Sequence, residues 1–576
     1  MRLHGRVSAI AAAIGVTLAL PAAASAHAAL LRTVPDASAV LNTPPAEVDM
    51  TYSEPVEPRF AIVSVTNAGG HLVTAGSPHR SPANPDTLVV PLRHLPEGWY
   101  LVYWRVISVD GHPVRGAFEF AVGPNPGPQP QFVIPSISET AATPQLLVFR
   151  FLVFLTFMAA IGLFCLRTLI ARPLVASVRD AGLRAVSVAF FAVSAVALIL
   201  LPVYVDVATA KFSLRSAFDV GSLVPLMHGS AFGRGFLDLE LCFSLFVAAA
   251  AVAIWLDRPE RGRRSVGALL ALAGALTAGA ITLGIPALAG HAGQTSPRGA
   301  AIVFDWVHVA AGAVWVGGLV GLLVLWRSLP EGRRVAALAI CVPRFSNVAF
   351  VSVLALVGFG IGASLLHFPT LSSLWQTSYG LALVAKIGLL GVALLLGAVN
   401  LLRTKPRLAA SRERPELSMG AAKLLRRLVT GEVLIVAGAL FAAAILTSLA
   451  PPAKALATIG KAKARVGPGP AQTTVHEGPY AVQVRVDPNK AAVPNDFSVR
   501  VTRSGKPVRK ADVTATFAML DMEMGQQAYR LPETGPGLYS RSAPALVMVG
   551  HWGLSFEVAP PGEPPFSVLV VDKASG

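Results

Sequence analysis

Tyr100-Leu-Val-Tyr-Trp-Arg-Val-Ile-Ser-Val-Asp110-Gly-His112-Pro113 is the stretch from which the chain can be read. Its run of β-branched and aromatic residues predicts an extended strand. Residues two apart in such a strand point the same way, so Asp110 and His112 can serve one ligand cluster, with Gly111 leaving room between them. Alone the pair is a weak signal, because Asp-x-His also completes ordinary turns. The start of the chain adds weight. Met1 to Arg6 carries Arg2 and Arg6, Val7 to Leu20 is apolar, and Ala24-Ser25-Ala26 offers the small residues a signal peptidase accepts, so residues 1–26 read as a signal peptide. Cleavage there makes His27 the first residue of the mature chain. Its α-amine and imidazole Nδ1 would then close one chelate ring on a metal ion, and two nitrogens suit Cu(II) with its tetragonal preference. An α-amine with a pKa of about 8 offers that ion little proton competition.

Outward from this segment the composition changes class. Of 576 residues, 53% are hydrophobic and only 14% charged, which lies outside the soluble globular range. The net charge of +16 raises nucleic acid as a partner, but the basic residues sit in short loops between apolar runs, and no nucleic acid is expected. Eight runs have the length of about 20 residues that a bilayer core requires: 146–170, 185–205, 237–257, 266–290, 302–326, 347–368, 379–402 and 428–450. Alternate loops are rich in arginine: Arg172, Arg179 and Arg184, then Arg258, Arg261, Arg263 and Arg264, then Arg327, Arg333, Arg334 and Arg344. The last such loop is densest, with Arg403, Lys405, Arg407, Arg412, Arg414, Lys423, Arg426 and Arg427. The intervening loops hold only Lys211, Arg215 and Arg234, then Arg298. The positive-inside rule places the rich loops in the cytoplasm. An even number of spans then leaves both terminal regions outside, in agreement with the signal peptide.

Those outer regions read as β domains. Residues 27–122 carry short β-rich runs such as Ala61 to Thr66, separated by Pro and Gly, which predicts a sandwich or barrel. A proline-rich linker, 123–145, stiff enough to hold the domain off the membrane, precedes the spans of 146–450. A second linker covers 451–470. Strands at Tyr480 to Val486, Phe497 to Thr502, Val513 to Leu520 and Phe566 to Val571 predict a second β-sandwich over 471–576. The fold class expected is therefore mixed: an all-β domain, an eight-helix transmembrane bundle and an all-β sandwich. Cys165, Cys242 and Cys341 lie in or near spans and offer neither exported domain a disulfide framework.

His27-Ala-Ala-Leu, Pro35, Thr51-Tyr-Ser-Glu54-Pro-Val and Trp104-Arg-Val-Ile-Ser-Val-Asp110-Gly-His112-Pro-Val-Arg-Gly116-Ala-Phe-Glu-Phe120 together resemble the periplasmic copper-binding CopC family. The resemblance implies a β-barrel with a Cu(II) site made by His27, Asp110 and His112, joined in some members by the glutamate that corresponds to Glu54. The methionine-rich Cu(I) loop of some members has no counterpart, since Met50 is the only methionine between His27 and Val122. His71, His79 and His94 read as solvated loop histidines. The membrane part is similar to CopD, the membrane partner of CopC. This likeness rests on Gly290-His291-Ala292, Asp305-Trp-Val-His308, Trp315-Val-Gly-Gly318-Leu, Arg344-Phe-Ser, Tyr379-Gly380, Lys386 and Asn400. It departs from the commoner pattern at Leu381 and Leu401, where basic residues are expected. The last domain, with Met519-Leu-Asp-Met522-Glu-Met524, Gly537-Leu-Tyr and Met548-Val-Gly-His551-Trp552-Gly, resembles small β-sandwich domains of the YtkA/FixH type.

Ionisable groups inside apolar spans are costly enough to need a reason. His291 ends the fourth span, and Asp305 and His308 lie one turn apart at the start of the fifth, so all three can line one outer vestibule as a copper path. The same i, i+3 spacing allows a plainer outcome, an imidazole hydrogen-bonded to its neighbouring carboxylate. His228, beside Met227, and His367 also fall on the outer side. Met522 and Met524 would project together from a strand as soft ligands for Cu(I), or fill core space as methionines commonly do. The function expected is copper binding without catalysis: Cu(II) captured outside the cytoplasmic membrane and passed to the spans, for import or for resistance. Copper ions, the lipid bilayer and a periplasmic copper chaperone are the partners expected. Two other classes stay open. A histidine-brace copper monooxygenase would also use His27, although Asp110 takes a position that oxygen needs. A membrane haem or quinone oxidoreductase could use His291, His308 and His367 as axial ligands.

Overall fold

Helices that are apolar on every face have no aqueous side, and eight of this kind follow one another along the chain. The computed structural model describes residues 28–576 apart from 29, 38, 108–112, 128–129, 131–143, 175–180, 209–230, 294, 330, 405, 408–417, 450–451, 453–461, 492 and 522–526. Two compact units emerge, one of Met1–Ala24, Thr143–Leu366 and Ala382–Ile445, the other of Ser25–Ala142, His367–Leu381 and Leu446–Gly576.

The first unit holds the helices: α1 (Pro144–Cys165), α2 (Ala181–Ala208), α3 (Ala231–Leu256), α4 (Val266–Ala289), α5 (Arg298–Ser328), α6 (Glu331–His367), α7 (Ser378–Val399) and α8 (Ser418–Leu446). Each contains a stretch long and apolar enough to cross a bilayer, and the chain is a multi-pass membrane protein. Helices α1 and α5 are the most enclosed, with 50% and 67% of their apolar stretches buried. They meet backbone to backbone at Gly162 and Gly317, where a Cβ on Gly162 would run into the Ala313 carbonyl and the Gly317 Cα. Small residues at such crossings let the two helices gain dispersion contacts that lipid cannot match.

Helix α6 begins well before the span expected at 347–368. Arg333, Arg334 and Arg344 are helical and not part of a loop. The helix need not stop at these charges because they find partners locally. Arg334 lies 4.6 Å from the Trp326 ring and donates to the Leu329 carbonyl at 3.0 Å, while Arg344 donates to Ile340 O at 2.9 Å. Another group of arginines converges on Asp257, the residue after α3. Arg167 Nη1 lies 2.7 Å, Arg172 Nε 3.0 Å and Arg264 Nε 3.5 Å from its carboxylate, which is only 3% exposed. Three guanidiniums hold that carboxylate ionised and tie the end of α1 to the α3–α4 connection.

In the second unit the strands expected around residue 100 form a sandwich. One sheet runs β1 (Leu30–Val34), β3 (Glu47–Tyr52), β6 (Thr87–Pro91), β5 (His79–Arg80). The other runs β2 (Val40–Leu41), β8 (Pro113–Val122), β7 (Gly98–Ile107), β4 (Ile62–Asn67). Alternation along β7 and β8 turns Tyr100, Val102, Trp104, Phe118 and Phe120 into the core. Tyr52 closes the core edge to face against Trp104, with ring centroids 5.7 Å apart.

The C-terminal residues form two further sheets. One is β10 (Ala471–Glu477), β11 (Tyr480–Asp487), β12 (Asn495–Arg503), β17 (Leu538–Ala543), β16 (Glu533–Gly535), with β13 (Lys506–Pro507) beside β12. The other is β15 (Gln527–Leu531), β14 (Asp512–Met519), β18 (Gly550–Ala559), β19 (Phe566–Ala574), β9 (Ala464–Val466). Phe497 of the first sheet meets Phe517 of the second at 4.5 Å, and Trp552 and Tyr539 are buried in the same core. The two β domains also touch: Leu101 and Ala117 on the outer face of β7–β8 pack with Ala491 and Val549.

Candidate metal centre

His27, Asp110 and His112 lie outside the described residues, but the strands leading to them are defined. Strands β7 and β8 pair as far as Ile107 and Pro113, and Asp110 and His112 fall in the sequence between those paired ends. Leu30 of β1 pairs with Tyr52 of β3, antiparallel. The chain preceding β1 therefore heads the same way as the chain leaving β3 toward Glu54. Since Tyr52 packs on Trp104, near the hairpin end of β7, these three leads point to one end of the sandwich. Ala28, next to His27, is fully buried, and Glu54 is half-buried. Met50 is core: it has no exposed surface, and its sulfur accepts the Tyr52 hydroxyl at 3.8 Å. His71, His79 and His94 are exposed, as expected of solvated histidines.

One group on this domain was not anticipated. Arg105, Arg115 and Glu119 alternate with core residues along β7 and β8, which reads as a solvent face, yet they are 6%, 9% and 2% exposed. Burial pushes the Glu119 carboxyl up to about 7.

In the helical unit His308 of α5 reaches across to α6. Its Nδ1 lies 2.7 Å from the Leu356 carbonyl of α6. A carbonyl only accepts, so Nδ1 carries the proton and Nε2 is left as the free donor atom for a ligand. The Nδ1 atom is thus engaged in an interhelical bond to Leu356. Gly360 makes the approach possible, because a Cβ there would stand 2.8 Å from His308 Nδ1. Asp305 and Lys386 of α7 are within electrostatic reach of each other, and Lys386 also acts on His308. These three polar residues therefore share one neighbourhood. The backbone of His291 forms a short 3-10 turn after α4.

Met522 and Met524 also fall outside the described residues. Around them the structure is defined by Asp521. Its carboxylate accepts the His551 backbone N–H at 2.6 Å, the His551 Nδ1–H at 3.0 Å and the Ser378 backbone N–H at 3.0 Å. Ser378 is the first residue of α7, where the segment from α6 ends. Most of that segment is packed on the C-terminal sandwich: Ser373 and Thr377 are fully buried, and Arg465 Nη2 donates to the Trp375 carbonyl at 2.6 Å. Deeper in the sandwich, Asp572 is fully buried beside Asn489, whose Nδ2 donates to it at 2.8 Å. Burial raises the Asp572 carboxyl to about 6 against the opposing pull of that bond. Among the described residues no group of three or more His, Cys, Asp or Glu is placed to hold a metal ion.

Three family models match in chain order: CopC domain over residues 30–123, Copper resistance protein D over 339–446 and YtkA-like over 474–557. The second covers only α6 to α8, so Asp305, His308 and His291 lie outside it. The chain is 26% identical to Copper transport protein CutJ of Bacillus subtilis (strain 168) over 545 residues, which is 92% of this chain and 93% of that protein. It is 34% identical to Protein YobA of Escherichia coli (strain K12) over 98 residues, 17% of this chain and 79% of that protein. It is 30% identical to Copper resistance protein C of Escherichia coli over 115 residues, 19% of this chain and 90% of that protein.

Proposed function

Since the chain belongs to the CopC/CopD family of copper proteins, with a YtkA-like domain at its end, we propose that it captures Cu(II) outside the cytoplasmic membrane and transfers it into its own transmembrane helices. The observation that carries this reading is similarity, over nearly the whole length of both chains, to a protein named for copper transport. His27, Asp110, His112 and Glu54 are the proposed ligands of the capture site. The convergence of their strand ends on one side of the N-terminal sandwich supports the set, and residues 1–26 are the proposed leader whose removal completes it.

The receiving site in the helices is proposed at His308, with His291 and Asp305 along the path. The free Nε2 of His308 supports this, since a histidine held through its other ring nitrogen is oriented and made more basic as a ligand. Met522 and Met524 are proposed as soft donors in the last domain. The arginine-rich loops are assigned to the cytoplasm, which leaves both β domains outside, where a copper chaperone could load them. Copper is cargo throughout, and no catalysed step is assigned.

Cellular copper in a strain lacking the chain tests transfer. A fall marks import, and a rise with greater copper sensitivity marks resistance. Unchanged copper content together with unchanged sensitivity would contradict the reading.

A further inference from the structure

Helices α6 to α8 are the part of the membrane unit that the Copper resistance protein D model matches, and they carry hardly any acid. Between residues 339 and 446 the acidic side chains are Glu413, Glu416 and Glu432, and Glu432 alone lies in an apolar span. At 1.5 Å per residue it stands about 15 Å along α8 from the start of that span at Ala422, roughly half the depth of a bilayer core. It is 3% exposed. An ionisable residue at such depth is costly and calls for a function.

The partner of Glu432 is neutral. Asn400 Nδ2 donates to its Oε1 at 2.5 Å. Asn400 opens a π-helical turn, Asn400–Thr404, that continues α7, and such turns recur at functional sites. Asn400 Oδ1 and Thr404 Oγ1 are both buried without a hydrogen-bond partner among the described residues. Thr404 follows Asn400 by one turn and so lies near the same face. Helix α8 touches α7 through Leu396, α1 through Phe151 and α5 through Trp326. Of the charged and titratable groups on those helices, Lys386 and Arg403, Arg150, and Asp305, His308 and Arg327, none is within electrostatic reach of Glu432. A carboxylate accompanied by one amide is an expensive charge in these surroundings, and a bound proton removes it. Amide and hydroxyl oxygens likewise suit a proton and not soft copper.

We propose that Glu432 is an intramembrane proton-binding site, positioned by Asn400, and that its proton couples to copper transfer. The proton enters and leaves past Thr404, at the arginine-rich end of α7. The coupling rests on the copper reading above; the proton site does not.

Two measurements on the full-length protein test this. The first needs no copper: infrared difference spectra in detergent between acidic and alkaline buffer. The wild type should show a carboxylic acid C=O band that is missing in Glu432→Gln and displaced in Asn400→Leu, which takes away the amide donor. Both replacements nearly conserve volume, so either can report if the other folds poorly. Identical spectra in all three proteins would overturn the proton site. In the second, vesicles containing the protein receive Cu(II) outside, with the membrane potential held at zero, and the copper inside is measured. For one proton moved per ion, one pH unit across the membrane should shift the wild-type copper distribution about tenfold, and Glu432→Gln should not respond. Its sign tells whether proton and ion travel together or opposed, and either direction supports the coupling. A wild-type distribution indifferent to the pH difference, or a Glu432→Gln distribution that still follows it, would overturn the coupling. Vesicles in which the wild type moves no copper would instead remove the transfer reading, and the infrared spectra would still decide the proton site.

Discussion

At the scale of single residues, His308 separates what sequence conveys from what it hides. An ionisable residue in an apolar helix is conspicuous, so His308 and Asp305 could be picked out at once. The partner of His308, the Leu356 carbonyl, could not, because any backbone carbonyl can accept and its selection depends on how α5 crosses α6. Gly360→Ala should therefore mimic loss of the histidine. The new methyl, 2.8 Å from Nδ1, would displace the ring, and cellular copper should shift as far as in His308→Ala at equal protein level. A wild-type copper content in Gly360→Ala would mean that the ring's position is irrelevant to transfer. Buried carboxyls give a second residue-scale expectation. Glu119, at about 7, and Asp572, at about 6, hold protons more tightly folded than unfolded. Their stability contribution is thus greatest at low pH and declines as pH rises from the unfolded carboxylate range through about 7. Thermal unfolding of the full chain at pH 5 and pH 8 should show this fall, and Asp572→Asn should flatten it. Neither residue was recognisable beforehand, because alternation marks Glu119 as solvent-facing and only the covering of that sheet face buries it.

Elements were far easier to read than contacts between them. Period-2 alternation located β7, β11, β12, β14 and β19 to within a few residues, and length with hydropathy located eight helices, because those signals depend on one segment at a time. The start of α6 was misplaced since arginines normally signal a loop, and nothing local announces that Trp326 and Leu329 will receive Arg334. Helix packing yields two expectations. Gly162→Val should force α1 from α5 at the Ala313 carbonyl, with a loss of about 1–3 kcal/mol or more seen as a lower melting temperature in detergent. Asp257→Ala should be worse, by about 3–5 kcal/mol, because it strands Arg167, Arg172 and Arg264 around a buried site. An unaltered melting temperature in Asp257→Ala would show that the arginines relax to solvent.

For the whole molecule, the segment 367–381 matters most, since it is continuous with two membrane helices yet belongs to the β unit. Asp521→Ala should remove a charge-assisted bond of about 1.5–3 kcal/mol from the Ser378 N–H, and hydrogen exchange should rise there and at His551 while the β11–β12 core stays protected. Little of this was legible from sequence, because Ser378 and Asp521 are 143 residues apart and nothing local to either pairs them. The proposed capture site has the opposite character: its candidate residues stand out in the sequence, and the strands leading to them point to one end of the N-terminal sandwich. The decisive measurement is the electron paramagnetic resonance spectrum of the processed full-length chain carrying one equivalent of Cu(II), compared with His27→Ala. An axial signal with nitrogen splittings, altered in His27→Ala, is the result expected; a solvent-like copper spectrum, or the same nitrogen-coupled signal in both proteins, would contradict capture by the terminal histidine.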